Sequence, residues 1–321
     1  MSKSYPIPQH ILRDLAEVEK ELAKIALSTD GVLAEISLAT LKAGGKRLRP
    51  ALVLISGMVG DYDLGRFMPA AVASELIHMA SLIHDDILDD AGTRRGAPTV
   101  NSIWGERIAV AAGDFLFATA FEILSRLEMR SVEIMVNAAL DLSLGEFDQM
   151  VTAYVVDQSI EDYIQKAKRK TAALFAACCQ VGSHLSGASA GDIAALTSYG
   201  ENLGIAFQIY DDVLDIAGGK ATGKEIGVDI RDGTITVPII YALEELGYDS
   251  RFAAIISKQR PDDKDVKEAI RLINECGAIS RTRETARSYV DKAIDSLKAI
   301  PKISAVEVFR GIGEFVIDRY H

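Results

Sequence analysis

No proline lies between Pro98 and Pro238, a run of 139 residues. Proline removes a backbone donor and breaks helix interiors, so its absence leaves room for uninterrupted helices. The text within the run agrees. ERIAVAAGDFLFATAFEILSRLE, VEIMVNAALDLSLGEFDQM, SIEDYIQKAKRKTAALFAACCQVGSHL and DIAALTSYGENLGIAFQIYDDVLDIA place apolar residues three and four apart, the spacing of a helix face. Alternating strand patterns are scarce. Several of these segments are apolar nearly all round, which predicts helices at the centre of a bundle. GDYDLGRF, AGTRRGAPTVNS and GGKATGKEIGVDIRDGT read as loops. No linker or composition shift divides the 321 residues, so residues 1–321 read as a single all-α domain.

Composition narrows the function classes. Lys plus Arg is 35 against 46 Asp plus Glu, a net charge of −11, which argues against a nucleic-acid binder. No stretch is apolar enough for a membrane span, and MSKSYPIPQH has no signal-peptide core. Cys178 and Cys179 sit in an apolar context, LFAACCQVG, and read as buried core in a reducing cytoplasm.

One motif occurs twice. DDILD supplies Asp85, Asp86 and Asp89; DDVLD, 126 residues later, supplies Asp211, Asp212 and Asp215. Residues four apart share a helix face. Each copy therefore presents two carboxylates one turn apart with a third beside them. Such crowding opposes joint ionisation, and negative charge near a helix C-terminus also opposes the helix dipole. A cation relieves both. Oxygen ligands without Cys or His favour a hard ion, Mg²⁺ above all, which completes its shell with water and substrate phosphates. Solvated helix caps would explain one copy; two copies, each after an apolar helix, favour metal.

Basic residues cluster beside glycines: Lys46, Arg47 and Arg49 after Gly44-Gly45; Arg94 and Arg95; Lys168, Arg169 and Lys170 with Thr171; Lys224 and Arg231. Arginine forks and lysine ammoniums suit phosphate oxygens. With two Mg²⁺ sites they suggest two diphosphates, one held through metal and one by direct ion pairs.

These residues resemble the trans-isoprenyl (polyprenyl) diphosphate synthase family. GGKRLRP is similar to its first basic motif, and ELIHMASLIHDDILDDAGTRRG to its first aspartate-rich motif. AAGDFLFATA, GEFDQM, YIQKAKRKTAALF, GIAFQIYDDVLDI and GKEIGVDIRDGTITVPIIYAL follow in family order. The resemblance implies an isoprenoid-synthase bundle of long helices around a deep central cavity. It implies head-to-tail condensation of isopentenyl diphosphate with an allylic diphosphate, through an allylic cation. Asp85, Asp86, Asp89, Asp211, Asp212 and Asp215 would bind two or three Mg²⁺ ions, as the two halves of a clamp. Arg94 and Lys170 would steady the allylic diphosphate, with Lys224 closing over it. Lys46, Arg49, His78 and Arg95 would hold isopentenyl diphosphate. Thr171 and Gln208 would face the developing cation, with Glu146 and Gln149 as supports. A homodimer and at most transient membrane contact are implied as well. One departure stands out: family members often carry a lysine where DGTITVP has Thr234, and Arg231 is the nearest residue that would compensate.

Product length is read from the helix before Asp85. In the family, aromatics four or five residues before the first aspartate act as a floor. Here those positions are Ser81 and Ala80, with Ile77 a turn earlier. Small residues predict a deep tunnel and a product longer than geranylgeranyl, with Phe115, Phe117 and Phe121 as candidates for a deeper floor. A farnesyl- or geranylgeranyl-length enzyme and the catalytic subunit of a heteromeric synthase remain alternatives. So do a class I terpene cyclase, which the second aspartate motif disfavours, and a helical structural protein with Mg²⁺-stabilised ends.

Overall fold

The computed structural model describes residues 7–94, 96–218 and 226–318. Arg95 and Lys224 lie outside them. Helices make up nearly all the regular structure, as the proline-free run predicts. Among the described residues the strands are Thr93–Arg94 and Ala97–Pro98, a two-residue antiparallel hairpin that turns at Gly96 with φ +78°. The chain separates into two compact units. One comprises residues up to Ala139, with Leu174–Gly200 and Ser296–Ile312. The other comprises Leu140–Ala173, Glu201–Asp295 and the chain from Gly313.

The first unit is organised on the helix Leu64–Leu88. Asp63 caps its start, its carboxylate accepting from the Gly65 N–H at 3.1 Å, a common way to satisfy first-turn donors. The helix is buried along most of its length, from Phe67 to Asp86, and packs against Glu106–Leu124 and Leu48–Gly57. Its apolar face on every side is what a central helix requires. Polar side chains within it are satisfied locally: the Ser74 hydroxyl donates to the Ala71 carbonyl and the Ser81 hydroxyl to that of His78. Pro69 sits inside this helix. The carbonyl that a residue at position 69 would otherwise engage belongs to Gly65, only two residues into the helix, so the break falls where few bonds are lost.

The second unit contains Ile160–Ala167, a π-turn over Lys168–Ala172, and the helices Val228–Asp232, Val237–Leu246, Arg251–Ile256, Asp263–Glu275 and Ala278–Ser296. Ser159 and Asp162 form a reciprocal capping box, as do Asp262 and Asp265. The segment read as a loop around GVDIRDG holds the short helix Val228–Asp232, bracketed by Gly227 and Gly233, both left-handed.

Cys178 and Cys179 are buried free thiols, and burial pushes both up, Cys178 to about 12. They are core residues, as their context predicts. No helix among the described residues is long and apolar enough to cross a membrane.

Close helix approach is set by Gly182. A Cβ built there would meet the Val53 carbonyl oxygen at 2.2 Å, which is backbone and cannot yield. Gly182→Ala is expected to destabilise the protein by about 2 kcal/mol, measurable as a lowered midpoint in urea denaturation.

Candidate active site

In the first unit the aspartates occupy the last turn of Leu64–Leu88. Asp85 and Asp86 are helical, and Asp89 is the C-cap residue. The helix stops because Asp90 turns left-handed, φ +47°. The Ala91 N–H then donates to the Asp86 carbonyl at 2.9 Å and the Asp90 N–H to that of Ile87 at 3.2 Å. This Schellman ending normally uses glycine at the left-handed position. Asn101 adds a second donor to the Asp86 carbonyl at 3.1 Å.

Asp86 is 5 % exposed. The hairpin carries Arg94 to it, and the Arg94 Nε–H donates to Asp86 Oδ1 at 2.5 Å. Burial pushes the Asp86 carboxyl up and Arg94 pulls it down; the balance is upward. Asp85 is half-buried and Asp89 exposed. His84 has a structural setting: its Nε2 lies 3.3 Å from the Val110 carbonyl, its ring 5.9 Å from that of Phe117, and a Cβ at Gly113 would meet its Nε2 at 2.2 Å.

The GGKRLRP turn belongs to the same unit. Lys46 is exposed and Arg49 half-buried, its guanidinium 4.9 Å from the centre of the Phe175 ring. His78 is half-buried on Leu64–Leu88. Ile77, Ala80 and Ser81 are buried on that helix, at 0 %, 0 % and 6 % exposure. Phe115, Phe117 and Phe121 are half-buried, and Phe117 stacks with Phe121 at 6.3 Å.

In the second unit a hydrogen-bonded chain leads to Asp212. The Thr171 hydroxyl donates to Gln208 Oε1 at 2.6 Å, and Gln208 Nε2 donates to Asp212 Oδ1 at 3.0 Å. Asp212 Oδ2 accepts from the Tyr163 hydroxyl at 2.5 Å. Both oxygens of this carboxylate, 3 % exposed, are thus oriented by neutral donors. Burial pushes the Asp212 carboxyl up to about 7; Tyr163 and Gln208 oppose the shift, and Asp211 and Asp215 add to it. Asp215 receives the backbone N–H groups of Val228 and Asp229 at 3.0 and 3.2 Å, so it also anchors the short helix. That helix brings Asp229 into the cluster. Burial and the fields of Asp215, Asp212, Asp232 and Asp211 push the Asp229 carboxyl well up.

Lys170 lies in the π-turn, a helical irregularity frequent at functional sites. Its Nζ is 2.5 Å from Glu146 Oε2. Gly145 permits this approach, since a Cβ there would lie 2.3 Å from the Lys170 backbone nitrogen. Glu146 thus pairs directly with Lys170; Gln149 is half-buried. Arg231 pairs with Asp263 at 3.1 Å, and the Thr234 N–H donates to the Asp229 carbonyl at 2.8 Å.

Tyr163, Asp229 and Glu75 escaped the sequence analysis. Asp229 lay in a stretch read as loop, where its place among other aspartates in GVDIRDG was the available signal. Tyr163 opens the family-like segment YIQKAKRKTAALF, but nothing local marks its hydroxyl as a partner of Asp212.

Among the described residues no three His, Cys, Asp or Glu side chains form a ready-made metal cage. The donor set nevertheless fits Mg²⁺, which needs only one or two protein carboxylates and takes the rest of its octahedron from water and phosphate. Asp212 and Asp229, raised by burial and then by neighbouring carboxylates, are groups that a divalent cation would return to the ionised form.

Residues 30–273 match the family described as "Polyprenyl synthetase". The heptaprenyl diphosphate synthase component 2 of Geobacillus stearothermophilus is 39 % identical over 307 residues, covering 94 % of this chain and 95 % of that protein. A decaprenyl diphosphate synthase structure from Rhodobacter capsulatus superposes with a TM-score of 0.89 at 33 % identity, over 98 % of each chain. A geranylgeranyl pyrophosphate synthetase structure from Pyrococcus horikoshii Ot3 gives 0.87 at 37 % identity, over 97 % of each chain.

The Asp212 environment has a stability signature. A carboxyl raised from near 4 to about 7 keeps its proton in the folded state and loses it in the unfolded state between those values. Its contribution is therefore complete below pH 4 and disappears as pH rises through 7. Asp212→Asn is expected to stabilise the metal-free protein by roughly 4 kcal/mol at pH 8, with little gain at pH 4. Paired urea titrations in chelator check this; an equal gain at both values contradicts the assignment.

Proposed function

The chain belongs to the polyprenyl synthetase family and is a trans-prenyltransferase, and we propose that it extends an allylic diphosphate with isopentenyl diphosphate to a product longer than geranylgeranyl. The observation that carries the proposal is the pair of aspartate motifs, each with a buried carboxylate oriented by hydrogen bonds from its own unit: Asp86 by Arg94, Asp212 by Tyr163 and Gln208.

In this reading Asp85, Asp86, Asp89, Asp211, Asp212 and Asp215 hold two or three Mg²⁺ ions. When bound, Mg²⁺ neutralises charge on the departing diphosphate. Arg94 and Lys170 bind the oxygens of the allylic diphosphate, exchanging their carboxylate partners for phosphate, and Lys224 covers it. Lys46, Arg49, His78 and Arg95 hold isopentenyl diphosphate, whose double bond attacks the allylic carbon as the carbon–oxygen bond breaks. Thr171 turns an oxygen dipole toward the positive charge that develops there. Gln208 accepts from the Thr171 hydroxyl and fixes its direction. Loss of a proton from the new unit to the released diphosphate restores an allylic chain, one unit longer. The apolar helix before Asp85 keeps water from the cation.

The length assignment rests on small, buried Ala80 and Ser81, and the heptaprenyl and decaprenyl relatives support it. A geranylgeranyl enzyme of comparable similarity is the reading it must beat. A second arrangement, catalytic subunit of a heteromeric synthase, is favoured by the relative named "component 2"; otherwise the active form is a homodimer. Buried free thiols support a cytoplasmic setting.

Purified protein with Mg²⁺, labelled isopentenyl diphosphate and farnesyl or geranylgeranyl diphosphate is expected to yield all-trans lipids longer than geranylgeranyl. Asp86→Ala and Asp212→Ala should each reduce turnover about a thousandfold. Ser81→Phe should shorten the product while turnover persists. Unchanged product length in that variant removes the floor argument, and near-normal turnover in both aspartate variants removes the metal sites.

A further inference from the structure

Arg47 stands between Lys46 and Arg49 in the GGKRLRP turn, but it is built in differently. Its backbone is left-handed, φ +47°, and it is the N-cap residue of Leu48–Gly57. Its guanidinium turns inward, with the side chain 12 % exposed. Nη1–H donates to Glu75 Oε1 at 2.8 Å, Nη2–H to the Leu41 carbonyl at 2.8 Å, and Nε–H to Glu19. One side chain thus joins the helices Gln9–Ala26, Gly31–Lys42 and Leu64–Leu88 to the start of a fourth.

Glu75 is a carboxylate in the middle of Leu64–Leu88, its side chain only 4 % exposed. It lies one turn before His78. A buried ion pair is weak evidence for stability, because well-packed apolar residues in its place are often neutral or better. What such a pair supplies is geometry: the planar guanidinium fork admits few arrangements. Here the geometry fixed is that of a strained, non-glycine turn with a phosphate-binding candidate on either side.

We propose that the Arg47–Glu75 pair is a positioning strut for the isopentenyl diphosphate subsite, locking the turn that carries Lys46 and Arg49 to the helix turn that carries His78. The inference rests on the assignment of those three residues to isopentenyl diphosphate. Neither Arg47 nor Glu75 touches substrate; they act by setting where Lys46, Arg49 and His78 stand. A diphosphate gripped from two separate elements binds in proportion to how well their spacing is held.

The test uses the full chain with two variants, Glu75→Gln and the double replacement Arg47→Met/Glu75→Leu. Steady-state kinetics are measured for each substrate with the other saturating, alongside melting temperature and calorimetric binding of isopentenyl diphosphate. Both variants are expected to raise KM for isopentenyl diphosphate about tenfold, weaken its calorimetric binding in proportion, and leave KM for the allylic diphosphate within about twofold. The double variant leaves no charge buried alone at position 75 and should stay folded at the assay temperature, as its melting temperature will show, so its kinetic defect cannot be ascribed to unfolding. An unmoved KM for isopentenyl diphosphate in the folded double variant overturns the strut. So does a common fall of melting temperature and kcat with both KM values unchanged, the pattern of a merely structural pair. A wild-type protein that neither condenses nor binds isopentenyl diphosphate overturns the assignment of the subsite, and the strut with it.

Discussion

Carboxylates brought close together resist ionisation, and the fold must supply donors or cations to hold them. That constraint explains why so much local structure exists around a few aspartates. Asp86 is served by a hairpin whose role in the first unit is to return Arg94 to it. Asp212 is served by a tyrosine hydroxyl and an amide that is itself oriented by Thr171. Asp215 is served by the backbone of a helix only five residues long. Each device is short, local and polar, and each is attached to a long apolar helix whose burial provides the stability.

The same economy governs the cations. In the run Lys166-Ala167-Lys168-Arg169-Lys170, Lys168 pairs with Glu201, Arg169 with Asp148 and Lys170 with Glu146. Lys166, buried, is hydrogen-bonded to the neutral Gln158 and Thr152, and burial lowers its pKa. In the proposed reading, phosphate binding by Lys170 or Arg94 would be an exchange of one anion for another. The net gain is smaller than for a bare cation, and selectivity shifts toward ligands carrying several charges at once.

Helix content was legible because proline spacing and apolar periodicity are local properties. So were the twin aspartate motifs and the buried character of Cys178 and Cys179. The remainder depended on partners distant in sequence. Tyr163 and Asp212 are 49 residues apart, and Arg47 and Glu75 are 28 apart; neither spacing has a signature. The Thr93–Pro98 hairpin and the Val228–Asp232 helix are too short for periodicity to register, yet both place charged groups that matter to the aspartates.

Asp90 has a consequence of another kind. The helix it terminates would accept glycine with less backbone strain, and a single base change converts an aspartate codon to a glycine codon. Position 90 is thus a point where random drift and folding stability push in the same direction, away from aspartate. A carboxylate maintained there against both pressures would have to be maintained by what the protein does. Sequence variation at this one residue can therefore separate selection for activity from selection for folding.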